Sequence, residues 1–265
     1  MHADFVFAIV LSALASLATV AGGMISLVVR RPGPKVMAVS LGFSAGVMVF
    51  VSFAELLPSG IAEVGFLPAV GAFFGGLVLM FLIDAAVPHV FVTEGHELKI
   101  HPDCLPAKPE AGQPADKLMR ASLLIAIGIG IHNLPEGMAT FAGALKNRGL
   151  GLAIGSAVAL HNIPEGLAVA VPVFCATGSR RRSILWAFLS GVSELVGALL
   201  AAAVLMPFLT PQLLAITLAA VAGLMVFISF DELIPGSYSY GHEHSSVIGL
   251  VAGMALMAFG IWILQ

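Results

Sequence analysis

Charge is what this chain has least of. Twelve Lys and Arg with 15 Asp and Glu leave it 10% charged, where soluble domains carry about a quarter. A mean hydropathy of +1.03 excludes a soluble globular fold. Two cysteines in 265 residues exclude a disulfide framework, so Cys104 and Cys175 read as reduced thiols. No Gly-x-x-x-x-Gly-Lys-[Ser/Thr] run marks a nucleotide site, and no His-Glu-x-x-His run marks a metal-dependent hydrolase of the usual kind. No nucleic-acid partner is expected.

What the chain has instead is long apolar runs. At about 20 apolar residues per crossing, it divides into eight predicted membrane helices: 4–29, 35–58, 65–87, 118–145, 149–175, 183–207, 211–235 and 246–264. The expected class is all-α, a polytopic membrane protein in which residues 1–265 form one transmembrane domain. Little remains outside the bilayer except 88–117, a Pro-rich segment that reads as a flexible cytoplasmic loop. Arg30, Arg31, Lys35, Lys99, Lys108, Lys117, Arg120 and Arg180 to Arg182 fall in or beside the first, third and fifth loops. Only Lys146 and Arg148 fall on the other side. The positive-inside rule then places both termini outside the cytoplasm, in a plasma membrane. The first helix is kept as a span, because no positive charge precedes it and Arg30 and Arg31 follow it.

Two repeats run through these helices. His132-Asn-Leu-Pro-Glu-Gly-Met-Ala in the fourth returns as His161-Asn-Ile-Pro-Glu-Gly-Leu-Ala in the fifth. Ala45-Gly-Val-Met-Val-Phe-Val-Ser-Phe-Ala-Glu-Leu-Leu-Pro58 in the second returns from Ala222 to Pro235 in the seventh. Helices 2 and 7, like helices 4 and 5, cross in opposite directions, which makes an inverted repeat. That build, with a site near the midplane on interrupted helices, is characteristic of secondary transporters. It places Glu55 near the outer end of helix 2 and Asp231 and Glu232 near the inner end of helix 7. Asp84 lies near the inner end of helix 3, and all four are candidate pathway residues.

A carboxylate at membrane depth is costly unless it pairs, faces a cavity or binds a cation. The duplicated His, Asn and Glu therefore point to a divalent metal. At about 100° per residue, Glu136 lies angularly between His132 and Asn133, and Glu165 between His161 and Asn162. Each glutamate is thus placed to bridge two metal positions: one from His132, Glu136, His161 and Glu165, the other from Asn133, Glu136, Asn162, Glu165 and Glu194. Pro135 and Pro164 free the carbonyls of Ile131 and Leu160 and loosen each helix there. Nitrogen and oxygen donors without thiolate suit zinc, iron(II), manganese, cobalt or cadmium better than copper(I). The competing readings are a Pro-kinked hairpin of hydrogen-bonded side chains, an intramembrane metal-dependent hydrolase, and a metal sensor that does not transport.

The His-Asn-x-Pro-Glu-Gly motifs, with the eight helices and the loop between helices 3 and 4, resemble the ZIP (Zrt/Irt-like) family of divalent metal transporters, bacterial zinc-uptake type. The resemblance covers nearly the whole chain. It implies no enzyme activity, with zinc as substrate and Fe2+, Mn2+, Co2+ and Cd2+ as further candidates. It implies a binuclear centre at His132, Asn133, Glu136, His161, Asn162, Glu165 and Glu194, with Met48 as an added ligand of the first position. It places Glu55 at the entrance and Asp84, Asp231 and Glu232 at the exit, with one helical group moving against another. It further implies metal handling by His and acidic residues of 88–117 and by His242, Glu243 and His244. The partners expected are divalent ions, the lipid bilayer and a second copy in a homodimer. A dication moving inward across 100 mV gains about 4 to 5 kcal/mol, so uptake needs no ATP.

Overall fold

The computed structural model describes residues 2–28, 32–86 and 115–264, and all regular structure among them is helical. Eight long helical segments follow one another: α1 His2–Val28, α2 Pro34–Val64, α3 Phe66–Ala86, α4 Ala115–Lys146, α5 Arg148–Thr177, α6 Arg180–Leu205, α7 Pro211–Tyr238 and α8 Glu243–Leu264. All of these except α4 hold a described stretch long and apolar enough to cross a membrane. With 32 residues, α4 spans about 48 Å at the α-helical rise. The loop 88–117 and its histidines lie mostly outside the described residues, as do Arg30 and Arg31.

Local chemistry fixes the ends. Asn147 caps α5 by accepting from the amides of Gly149 and Leu150, and Thr210 caps α7 through the amide of Leu213 just before Pro211. Such caps satisfy amides that a helix start leaves unpaired. Gly65 ends α2 at φ 83° and Gly178 ends α5 at φ 62°, the left-handed region that glycine enters without strain. Cys175 takes part in a disulfide, against the expectation of a reduced thiol.

The second and seventh helices do not stop at Pro58 and Pro235 as expected. Each passes through a π turn, Ser52–Leu56 in α2 and Ser229–Leu233 in α7, and continues as α-helix to Val64 and Tyr238. The wider turn absorbs the missing proline amide: the amides of Leu57 and Ile234 bond five residues back, to the carbonyls of Ser52 and Ser229. The Ser52 hydroxyl donates to the Met48 carbonyl at 2.7 Å and the Ser229 hydroxyl to the Met225 carbonyl at 2.8 Å. The repeat read from the sequence is therefore repeated in backbone geometry.

The inverted symmetry extends to the remaining helices. Gly22 of α1 lies against the Ile163 carbonyl of α5, and Gly197 of α6 lies against the Leu134 carbonyl of α4. The reverse contacts, Gly166 on Thr19 and Gly137 on Glu194, match in the same way. Gly46 of α2 meets Leu250 of α8 as Gly223 of α7 meets Phe73 of α3. A Cβ at any of these glycines would overlap a backbone carbonyl, so small residues set the helix spacing. Helices α1, α4, α5 and α6 pack into one group, flanked by the pairs α2–α8 and α3–α7. Phe66, Leu67, Phe208 and Trp262 remain exposed, as lipid-facing side chains would be.

Candidate metal centre

The polar interior sits where Pro135 and Pro164 fall inside α4 and α5. His132, Asn133, Glu136, His161, Asn162, Glu165 and Glu194 are all buried, in helices whose other residues there are mostly apolar. Groups of this kind in an apolar interior need partners or a cation. Ligand atoms of Glu136, His161 and Glu165 lie within 4.8 Å of one another, with His161 Nε2 3.0 Å from Glu136 Oε1. Glu136 Oε2, Glu165 Oε2 and His161 Nδ1 are buried with no hydrogen-bond partner. The Ser44 hydroxyl of α2 lies 3.2 Å from the His161 carbonyl and 3.5 Å from Glu165 Oε1. The sequence offered no sign of Ser44, because Val221 stands at its repeat position.

His132 is not in this cluster. Its Nε2 lies 2.7 Å from Glu232 Oε1 of α7. Two copies of one motif thus aim their imidazoles at different partners, which breaks the symmetry of the helices that carry them. Glu232, expected along the exit, therefore touches the centre itself. Its neighbours Asp84 and Asp231 bring carboxylate oxygens within 4.8 Å of it and of each other. Three of the four expected pathway carboxylates are gathered at one end of the molecule. The fourth, Glu55, is half-buried in the α2 π turn.

The asparagines make matching contacts. Asn133 Nδ2 donates to the Ser190 carbonyl at 2.9 Å, and Asn162 Nδ2 donates to the Ala15 carbonyl at 3.0 Å. Asn162 also donates to Glu194 Oε2 at 2.6 Å. With Gly22 paired to Gly197, the repeat position of Glu194 is Thr19, so this carboxylate has no acidic counterpart. Asn133 Oδ1, Asn162 Oδ1 and Glu194 Oε1 remain without hydrogen-bond partners. Met48 is fully buried in α2.

A cavity runs from the centre toward the end of α7 that carries Gly236 and Tyr240, lined also by His132, Glu165, Ala168 and Glu232. Burial pushes the Tyr240 phenol up to about 12, so it remains a neutral hydroxyl. The arrangement offers a cation a nitrogen and several carboxylate oxygens at depth, with the Glu165 and Glu232 carboxylates on the cavity lining.

The chain matches the family described as ZIP Zinc transporter over residues 92–260. It is 46% identical over 266 residues to a zinc transporter ZupT of Corynebacterium efficiens, covering 97% of each chain. It is 44% identical to a zinc transporter ZupT of Akkermansia muciniphila, over 97% of this chain and 98% of the relative. Against a zinc transporter ZupT of Lysinibacillus sphaericus the identity is 43% over the full length of both.

Proposed function

The chain belongs to the ZIP zinc transporter family, and from that premise we propose that the cluster of Glu136, His161 and Glu165 is where a divalent cation, zinc foremost, rests between the two sides of the bilayer. The protein is a multi-pass membrane transporter for zinc and not an enzyme. The single observation that carries the site is the gathering of three ionisable groups at complete burial, with carboxylate oxygens and an imidazole nitrogen lacking partners. A dication supplies those partners; a hydrogen-bonded hairpin does not.

In this reading Glu136 and Glu165 bridge two positions. The first is completed by His161 and His132, and the second by Asn133, Asn162 and Glu194, whose free carbonyl and carboxylate oxygens suit a hard or borderline cation. Here His132 faces Glu232 rather than the first position, which supports ion release by a relay from the buried cluster to His132 and Glu232, then to Asp231 and Asp84. Met48 is the outermost candidate of the first position and Glu55 the entrance carboxylate. Iron(II), manganese, cobalt and cadmium are further substrates of the same donor set. The cavity opens toward the cytoplasm and the termini lie outside, which makes the present form inward-open. Because ligands must be deprotonated to bind metal, influx weakens as pH falls.

Zinc influx into proteoliposomes tests the reading. Glu165→Ala lowers influx by about 10-fold or more while the protein stays monodisperse. Influx equal to that of the parent chain would move the site elsewhere.

A further inference from the structure

Lys146 ends α4 at the side opposite the open cavity, and its ammonium is held across the boundary between the α1–α4–α5–α6 group and α2. Nζ donates to the Ser59 carbonyl at 2.7 Å and to Ser59 Oγ at 2.9 Å, and lies 3.9 Å from Glu63 Oε2. Ser59 and Glu63 belong to the tip of α2 beyond its π turn. The other cation nearby behaves differently. Arg148 pairs with Asp4 at 2.9 Å and lies 5.5 Å from the Phe7 ring centre, so it joins α5 to α1 inside one group.

The inverted repeat gives these contacts a meaning. Ala168, Leu233, Gly236 and Tyr240 line the open cavity. Their repeat positions are Ala139, Leu56, Ser59 and Glu63. Ala139 and Leu56 are completely buried, and Ser59 and Glu63 are the residues that grip Lys146. The wall of one mouth is thus the sealed seam of the other. The repeat position of Lys146 is Cys175. The open mouth therefore has a Cys, a Gly and a Tyr where the closed one has an ammonium, a hydroxyl and a carboxylate. This difference sits on the side chains alone, on helices that otherwise match.

We propose that Ser59, Lys146 and Glu63 form a clasp that holds the second mouth shut, and that Lys146 must let go of α2 before metal enters from that side. Lys146 and Glu63 are partly exposed, at 19% and 32% of their side chains. A contact of this kind is weak enough to open and close in each transport cycle. The inference rests on the reading of the chain as an alternating-access transporter.

Thiol labelling of the full chain in proteoliposomes tests it. With Cys104 and Cys175 replaced by alanine, Ala139→Cys reports on the closed mouth and Ala168→Cys on the open one. Ala139→Cys reacts slowly with a water-soluble maleimide, and Lys146→Met raises its rate about fivefold or more in proportion to the population opened. Lys146→Arg, which keeps the charge and donors, and Arg148→Met, which cuts an ion pair inside one group, leave the rate within about twofold. Glu63→Lys sets two cations against each other at an exposed position and raises labelling too, even where Lys146→Met folds poorly. Labelling in Lys146→Met and Glu63→Lys no faster than in Arg148→Met, from protein that still carries zinc, overturns the clasp. Absence of zinc influx in the unmodified chain would instead sink the transport reading, and the labelling comparison would still decide the clasp.

Discussion

At the scale of the residue, two identical motifs differ in where the imidazole points. His132 and His161 open identical motifs, yet His161 meets Glu136 at 3.0 Å and His132 meets Glu232 at 2.7 Å. In the proposed relay Glu232 serves release, so Glu232→Ala is expected to slow zinc influx by about 10-fold while zinc binding in calorimetry persists, because Glu136, His161 and Glu165 are untouched. Binding lost together with influx would make Glu232 part of the holding site. The buried polar set was legible in the sequence because polar residues at membrane depth have few other uses. The pairing of His132 with Glu232 was not. Helical angle places it beside Glu136, and only the packing of α7 against α4 brings the Glu232 carboxylate 2.7 Å from it. Ser44 was equally hidden, since a single serine in an apolar helix is ordinary.

At the scale of the element, spacing is set by glycines that let one backbone rest on another. Gly137 meets the carbonyl of Glu194, so Gly137→Ala must push α4 from α6 at the centre itself. Overpacking of this kind costs about 1 to 3 kcal/mol, a fall of roughly 2 to 10 °C in the thermal midpoint. Gly71→Ala, where an added carbon meets nothing within 4 Å, leaves the midpoint essentially unchanged. Thermal unfolding in detergent separates the two. The apolar runs gave all eight helices, and motif identity paired α2 with α7 and α4 with α5. The pairing of α1 with α6 and of α3 with α8 rests on matched close contacts, which leave no motif long enough to notice. The π turns were also invisible. Ser-Phe-Ala-Glu-Leu and Ser-Phe-Asp-Glu-Leu read as ordinary helix, and the proline after each read as its end. In fact the proline is accommodated because the turn is wide.

For the whole molecule the remaining question is which way the cavity faces, and the charge distribution makes a prediction. Arg180, Arg181 and Arg182 are exposed at the end where the cavity opens, free to meet lipid headgroups. At the opposite end Lys146 is clasped by Ser59 and Glu63, and Arg148 is paired with Asp4. The cations available to a membrane surface therefore lie at the cavity end, and the structure sharpens the imbalance that the sequence displays. Since exposed Lys and Arg are retained on the cytoplasmic side, the cavity should open inward and both termini should lie outside. An epitope added after Gln265 is then expected to be labelled by antibody on spheroplasts with an intact inner membrane, whereas one inserted in 88–117 needs permeabilisation. The reverse pattern would turn the cavity outward. The carboxylates of Asp84, Asp231 and Glu232 would then stand at the entrance, Glu55 at the exit, and the Lys146 clasp would guard release into the cell rather than entry.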